Sequence, residues 1–279
     1  MKTLSKPLLN TKAEDIFEEC VNGYRDAQKK NKLLSCKNLI ATDSASFDNT
    51  IPHNANNFSQ STLPDEVSNK EVYSVYDDKF ARQGSPGRHY YDTIKSQPPR
   101  GVCPICGIRI VNTLDHYLPK SEVPTLSITP NNLIPSCRDC NMDKRANISF
   151  VPSEMPVHLY FDEIPNEPWL YVKIKDNFET LYYVSCPESW EVGLRNRMKN
   201  HLDIYNLHSL YSSHAAQEIA DNMMRWENLV NQAGIDELKI HIERECKSIE
   251  SNDINSWRAA LYRALVSDFD KLKDYLQSI

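Results

Sequence analysis

Apolar residues recur at helical spacing towards both ends of the chain. Between residues 11 and 34 this spacing predicts one amphipathic helix, with Thr11 and Glu14 in the positions of a capping box at its start. Shorter helices are predicted over 73–80 and 88–95. From about residue 190 the chain is predicted to be helical again, with two apolar stripes that face a core: Ile235, Leu238, Ile242 and Ile249, and then Ile254, Trp257, Leu261, Leu265, Leu272 and Leu276.

The central part of the chain departs from this helical pattern. Residues 41–70 are rich in Asn, Asp, Ser and Thr and hold few apolar anchors, which predicts a long polar loop. Three short runs, 157–161, 169–174 and 180–185, have the apolar or alternating pattern of β-strands. The chain is therefore predicted to combine helices with a few short strands.

Composition excludes several protein classes. The 279 residues are 40% hydrophobic, which is enough to bury a core, and seven glycines against sixteen prolines do not fit a collagen-like or Gly-rich chain. No apolar run approaches the roughly eighteen residues of a membrane-spanning helix. The N-terminal segment also lacks an apolar stretch long enough for a secretory signal. We therefore expect a cytoplasmic protein with no membrane partner.

Charge is unevenly distributed along the chain. The whole chain carries a net charge of −6, but residues 79–146 contain ten Lys or Arg against five Asp or Glu. A basic segment within an acidic protein is typical of one site for an anionic ligand, although a solvated surface can reach the same excess.

The eight cysteines divide into two groups. Four stand alone, as small buried hydrophobic residues do: Cys20, Cys36, Cys186 and Cys246. The others form two CxxC pairs separated by thirty residues, which is the ligand spacing of a structural zinc site: Cys103, Cys106, Cys137 and Cys140. Two unrelated pairs of reduced thiols and a redox CxxC are the alternatives, but a redox motif needs no second matching pair.

A series of polar residues lies between and after the two pairs. It runs Asp115-His116, then Asn132-Leu133, and then Asn141 with Lys144 one helical turn later. In this order, together with the paired cysteines, it resembles the HNH nuclease family, in the zinc-stapled form of the ββα-metal fold, over about residues 101–146. With the basic-aromatic segment 88–92 upstream, the region is also similar to HNH proteins of bacterial anti-phage defence, such as Septu-like and retron-associated nuclease subunits.

The resemblance implies a role for each residue of this series. His116 corresponds to the general base that takes a proton from the attacking water, and an imidazole is mostly neutral and free to accept one at pH 7. Asp115 and Asn141 correspond to oxygen ligands of a catalytic Mg²⁺ or Mn²⁺. Asn132 corresponds to a residue that hydrogen-bonds the loop backbone and holds the hairpin that presents His116.

The implied substrate groove has candidate phosphate ligands and one unusual loop. Lys144, Lys120 and Arg138 are the cations that could reach a phosphate oxygen. The third motif residue is Asn141 rather than His, a variant that favours Mg²⁺ or Mn²⁺ by ligand type. The Gly-Gly turn often found before the Asn-Leu pair is replaced by residues 121–125. This replacement alters the path of the loop without removing a catalytic group.

These observations predict an α+β fold that is mostly helical, with an embedded ββα-metal module and a four-cysteine zinc site. We divide the chain into an N-terminal helical region over 1–100 with a polar loop at about 41–70, an HNH module over 101–150, and a C-terminal strand-plus-helical region over 151–279. One such module cuts one strand at a time, so cleavage of both strands implies two copies or two encounters, and a homo-oligomer or a partner assembly would supply the two copies.

The predicted function is that of a metal-dependent endonuclease that hydrolyses DNA phosphodiester bonds as an effector of anti-phage defence. Its cofactors are a structural Zn²⁺ and a catalytic Mg²⁺ or Mn²⁺, and RNA as the substrate stays open. Two alternatives are kept: a catalytically silent, zinc-stabilised nucleic-acid-binding module, and a nuclease subunit that is active only with an ATPase or sensor partner. The intact Asp115, His116 and Asn141 favour the enzyme over the silent module.

Overall fold

A computed structural model describes residues 1–144 and 149–278. Residues 145–148, at the end of the predicted 101–150 module, and residue 279 lie outside the described residues. The chain separates into two compact units, residues 2–163 and residues 164–279 together with Met1. The described elements are mostly helical, which confirms the predicted fold class. The division into three regions stays a prediction.

The first unit consists mainly of helices around one short hairpin. Its helices are α1 (Ala13–Asn22), α2 (Ala27–Leu34), α3 (Lys37–Thr50), α4 (Asn69–Val75), α5 (Arg88–Lys95) and α6 (Arg138–Lys144). Helix α4 continues into a π-helical turn, Tyr76–Phe80, so the helices predicted over 73–80 and 88–95 are confirmed. Strands β1 (Thr113–His116) and β2 (Leu133–Ser136) pair in antiparallel fashion. Leu114 and Leu133 of this hairpin join the apolar core formed by the helices.

The single helix predicted over 11–34 is wrong, because two helices occupy this segment. The Asp26 side chain accepts hydrogen bonds from two backbone N–H groups in the first turn of α2 and so caps that helix. The capping box expected at Thr11 and Glu14 is also wrong, since α1 follows Lys12, whose side chain makes no capping hydrogen bond. The apolar spacing continues across the break and therefore conceals it.

The polar loop expected over 41–70 is wrong in its first third. Helix α3 continues to Thr50 because Ile40, Asp43 and Phe47 are all fully buried along one of its faces. The following residues contain a short 3₁₀ turn, Ala55–Asn57, before α4 begins. A buried aspartate counts as polar in the sequence, so composition alone concealed the inward-facing side of this helix.

The strand predicted over 157–161 is also wrong, because a tight turn occupies this segment. The backbone N–H groups of Phe161 and Asp162 both donate to the carbonyl of His158. The Asp162 carboxylate accepts the His158 N–H at 2.8 Å and closes the turn. Local side-chain bonding of this kind competes with strand pairing.

The second unit combines a hairpin with a set of long helices. Strands β3 (Leu170–Ile174) and β4 (Thr180–Val184) confirm the runs predicted over 169–174 and 180–185, and they pair in antiparallel fashion. They precede α7 (Val192–Ile204), α8 (Leu207–Ala233), α9 (Ile235–Asn252), α10 (Trp257–Ser267) and α11 (Phe269–Ser278). The predicted stripes supply buried residues here, among them Leu238, Ile242, Leu261, Leu265 and Leu272. Among the described residues, every helix is too short or too polar to traverse a lipid bilayer.

Candidate active site

Four cysteine sulfurs converge at the end of the β1–β2 hairpin where β2 leads into α6. Their Sγ atoms all lie within 4.8 Å of one another, and all four side chains are buried: Cys103, Cys106, Cys137 and Cys140. Four thiolates that bind one Zn²⁺ at about 2.3 Å stand roughly 3.8 Å apart, so the cluster could hold zinc after a small contraction. Hydrogen bonds among the four thiols lower the pKa of Cys106 and Cys137 and raise the pKa of Cys103 and Cys140, so the protons are shared unequally within the cluster.

Backbone geometry shapes each CxxC turn. Gly107 has φ +70°, a left-handed conformation that suits glycine, and its N–H donates to the carbonyl of the first cysteine at 2.8 Å. In the second turn the Cys140 N–H donates to the Cys137 sulfur at 3.5 Å. The Arg109 guanidinium contacts the Asp139 carboxylate at 2.9 Å. This ion pair joins the two turns on the outside of the cluster.

Strand β1 presents Asp115 and His116 as neighbours. The two residues are only 5% and 9% exposed. They pair with Ile134 and Leu133 of β2. Because successive side chains of a strand point to opposite faces, the carboxylate and the imidazole lie on different sides of the hairpin.

The His116 ring is held in one tautomer by a backbone carbonyl. Its Nε2 lies 2.8 Å from the Ser127 carbonyl oxygen, which can only accept a hydrogen bond, so Nε2 carries the hydrogen and Nδ1 keeps a free lone pair. The ring also packs edge-on against Tyr76, with centroids 4.5 Å apart. Burial lowers the pKa of His116 to about 3, so the ring is neutral at pH 7.

Asn132 forms hydrogen bonds with backbone groups of the loop that follows β1. Its Oδ1 accepts the Leu118 N–H at 2.7 Å, and its Nδ2 donates to the carbonyls of Leu118 and Leu126 at 3.0 and 3.1 Å. The side chain is fully buried. These are bonds of the kind that the resemblance implies at this position, while the importance of Asn132 for catalysis stays a prediction.

The Lys144 side chain is buried against the Asp115 carboxylate and does not reach the surface. Its Nζ is 3.0 Å from both carboxylate oxygens and also donates to the His116 carbonyl. Burial raises the pKa of Asp115 and lowers that of Lys144, and the attraction between the two charges opposes both shifts. Lys144 is therefore committed to an internal ion pair and does not extend towards solvent as a phosphate ligand would.

The other predicted site residues lie on α6 and in the loop after β1. Asn141 is half-buried on α6, one turn before Lys144. Lys120 contacts both carboxylate oxygens of Asp77 at 2.5 and 2.7 Å. Arg138, the first residue of α6, is exposed. Of the three cations predicted to bind phosphate, two are thus paired with acids in this structure.

Residues 103–147 match the family model described as HNH endonuclease. This segment is an HNH domain. The chain is also similar to Protein ea31 of Escherichia phage lambda, with 28% identity over 216 residues that cover 72% of this chain and 73% of the relative. No solved structure matches the chain significantly.

Two side chains that shape the HNH domain come from helices outside it. Tyr76, in the π-helical turn, packs on the His116 ring, and its hydroxyl points to the Leu114 carbonyl at 3.5 Å. Asp43, on α3, accepts a hydrogen bond from Thr125 in the loop after β1. Sequence reasoning missed both, because neither belongs to a spaced motif. The π-helical turn that holds Tyr76 could have been a signal, because π-helical turns often occur at functional sites.

The donor atoms of the HNH domain fit two kinds of metal ion. The sulfur cluster suits zinc, whereas the Asp115 carboxylate and the Asn141 amide supply the oxygen atoms that Mg²⁺ prefers. Each carboxylate oxygen has two lone pairs, so Asp115 can accept from Lys144 and still bind a cation. Within residues 1–144 and 149–278, no other group of three His, Cys, Asp or Glu side chains converges like the cysteines. A cation at Asp115 would therefore depend on water or phosphate for most of its ligands.

We predict that the purified protein contains one zinc per chain, as measured by elemental mass spectrometry. Cys137→Ser should abolish zinc binding and lower the unfolding temperature, because the free energy of metal binding contributes to folding. Cys36→Ser is the matched control, since Cys36 is a solitary buried thiol of the same unit. Full zinc content or unchanged stability in Cys137→Ser would contradict the assignment.

We also predict that Lys144→Met lowers the free energy of unfolding by about 3–5 kcal/mol, because it leaves the Asp115 carboxylate buried without a cation. Adding Asp115→Asn should restore most of that loss. Lys120→Met removes the cation from the exposed Asp77 and should cost less than about 1 kcal/mol. Urea unfolding measures the wild type and these three variants. Equal losses of unfolding free energy for Lys144→Met and Lys120→Met would contradict the prediction that the internal ion pair is the stronger of the two.

Proposed function

We propose that this protein is a metal-dependent endonuclease that hydrolyses DNA phosphodiester bonds at its HNH domain. One observation carries the proposal: His116 Nε2 lies 2.8 Å from the Ser127 carbonyl oxygen, which assigns the ring hydrogen to Nε2 and leaves Nδ1 as the nitrogen that can accept a proton. A ring fixed in this way is a preorganised base rather than a packing residue. The adjacent Asp115 and the nearby α6 supply the remaining groups.

In the proposed reaction, His116 Nδ1 takes a proton from a water molecule as the water oxygen bonds to phosphorus. The bond from phosphorus to the leaving sugar oxygen breaks, and that oxygen takes a proton from solvent. A Mg²⁺ or Mn²⁺ ion held by Asp115 and Asn141 would offset the negative charge that develops on the phosphate. Because the pKa of His116 is low, the ring is a weak base, which is consistent with a need for such a cation.

Binding of the substrate backbone is assigned to the basic segment 79–146. Arg138, the first residue of α6, is the exposed one of the predicted cations. Lys120 could exchange its contact with Asp77 for a phosphate because that pair is partly exposed. Phosphate contacts position a nucleic acid without reading its sequence. DNA is the proposed substrate and RNA is an outcome of the test below.

Cleavage of supercoiled plasmid in Mg²⁺ or Mn²⁺ tests the proposal. His116→Ala should lower the rate by about 10²–10⁴-fold, because the proton acceptor is lost. His241→Ala, a histidine of α9 in the second unit, is the matched control and should cut at the wild-type rate. Labelled single-stranded and duplex RNA run in parallel identify the preferred polymer.

Two outcomes of this assay would overturn the proposal. Equal rates for wild type and His116→Ala would remove His116 as the base. Tight DNA binding without cleavage, in both metals and at every protein concentration, would favour the silent binding module. Cleavage that begins only when an ATPase or sensor protein is added would support the proposed chemistry in a regulated subunit.

We further propose that cleavage acts during phage infection, in the cytoplasm, as a defence effector. The similarity to a phage protein is compatible with this setting, although it equally fits a nuclease carried by a phage. Bacteria that express the wild-type chain should plate phage less efficiently than bacteria that express His116→Ala at the same level. Identical plating across a phage panel would contradict the defence role and leave the proposed cleavage untouched.

A further inference from the structure

Asp43 is a fully buried carboxylate that lies outside the HNH domain. It accepts hydrogen bonds from the Ser61 N–H, the Ser61 hydroxyl and the Thr125 hydroxyl. These donors are all neutral. A buried carboxylate is costly, and hydrogen bonds to a charged acceptor are about twice as strong as neutral ones. The contact with Thr125 is therefore a firm link from α3 to the loop after β1.

Thr125 and Ser127 belong to one tight turn. Residues 124–126 form a 3₁₀ helix, and the Ser127 N–H donates to the Pro124 carbonyl at 3.1 Å. We call residues 124–127 the 124–127 turn. Because its backbone closes on itself through this bond, the position of the Thr125 side chain determines where the Ser127 carbonyl points. That carbonyl is the group that accepts the Nε2 hydrogen of His116.

The 124–127 turn is held from two sides. Asn132, inside the HNH domain, donates to the Leu126 carbonyl at 3.1 Å. Asp43 reaches the turn from α3 through Thr125. The turn is also buried, and the Thr129 N–H donates to the Leu126 carbonyl at 3.2 Å, so Asp43 adds a side-chain contact from outside the HNH domain to a turn that is already enclosed.

We propose that Asp43 is a positioning residue for His116, which it orients through Thr125 and the carbonyl of Ser127. This inference rests on the proposed nuclease function. Among the described residues, neither Asp43 nor Thr125 hydrogen-bonds to the ring, so their loss should change how well the base is aligned and not how DNA is bound. A misplacement of about 1 Å can cost roughly 10²-fold in rate.

Thr125→Val removes the hydroxyl and keeps the shape of the side chain. We expect kcat for plasmid cleavage to fall by about 10- to 100-fold with KM unchanged, and Thr125→Ser to restore most of the rate. Asp43→Asn should lower kcat similarly, and the double variant should be no worse than the poorer single variant. Thr129→Val is the control, because Thr129 is a buried threonine whose hydroxyl has no hydrogen-bond partner among the described residues.

A second readout tests the positioning without cleavage. In ¹⁵N NMR spectra of the zinc-loaded protein without added Mg²⁺ or Mn²⁺, with His116→Ala used for assignment, the wild-type ring should show one protonated and one unprotonated nitrogen. Thr125→Val should average the two, while Thr129→Val should not. Zinc content and unfolding temperature confirm that each variant is folded.

The outcomes separate this inference from the proposed function. Wild-type kcat and a fixed tautomer in Thr125→Val would overturn the positioning role and leave the nuclease assignment intact. Additive effects of Asp43→Asn and Thr125→Val would also overturn it, because the two residues would then act independently. If the wild-type protein never cleaves but Thr125→Val loses the fixed tautomer of His116, the positioning of the ring would be supported and the proposed nuclease function contradicted.

Discussion

The β1–β2 hairpin has four residues in each strand, so the candidate site depends on how both ends of this hairpin are fastened. A two-stranded hairpin of this size is marginal in water by itself. The four-cysteine cluster closes the end where β2 leads into α6. At the other end Asn132 bonds the backbone of the loop, while Leu114 and Leu133 anchor the strands in the helical core. The orientation of His116 follows from these attachments.

Burial imposes a second constraint, because a charged side chain in the interior of the first unit needs an opposite charge or hydrogen bonds from nearby residues. Asp115 meets Lys144, and Asp43 meets three neutral donors. The His116 ring avoids the cost of a charge by staying neutral. These buried polar groups thus find their partners within the unit. Arg138 on α6, by contrast, is exposed and can meet an anionic ligand.

Predictions from the sequence succeeded where chemistry depends on neighbours along the chain. The paired cysteines were identified from their spacing, and the structure gathers their sulfurs. Predictions failed where one polar residue took part in a distant contact. Asp43 made the start of the 41–70 segment look like loop, although it faces the core of the first unit. Lys144 was expected to bind phosphate because of its position; in the structure it contacts Asp115, and its role towards a substrate stays a prediction.

The amino-acid sequence by itself determined the fold class, the thiol cluster and the order of the HNH motif, because these depend on residue type and on short spacings. Tertiary structure alone decided which groups contact the imidazole and which groups contact the turn that holds it. Tyr76, Ser127 and Asp43 come from three separate segments, and no spacing rule relates them. Their relation to His116 arises only when helices and hairpin pack into one core, since packing selects contacts by shape and by the need to satisfy every buried polar group.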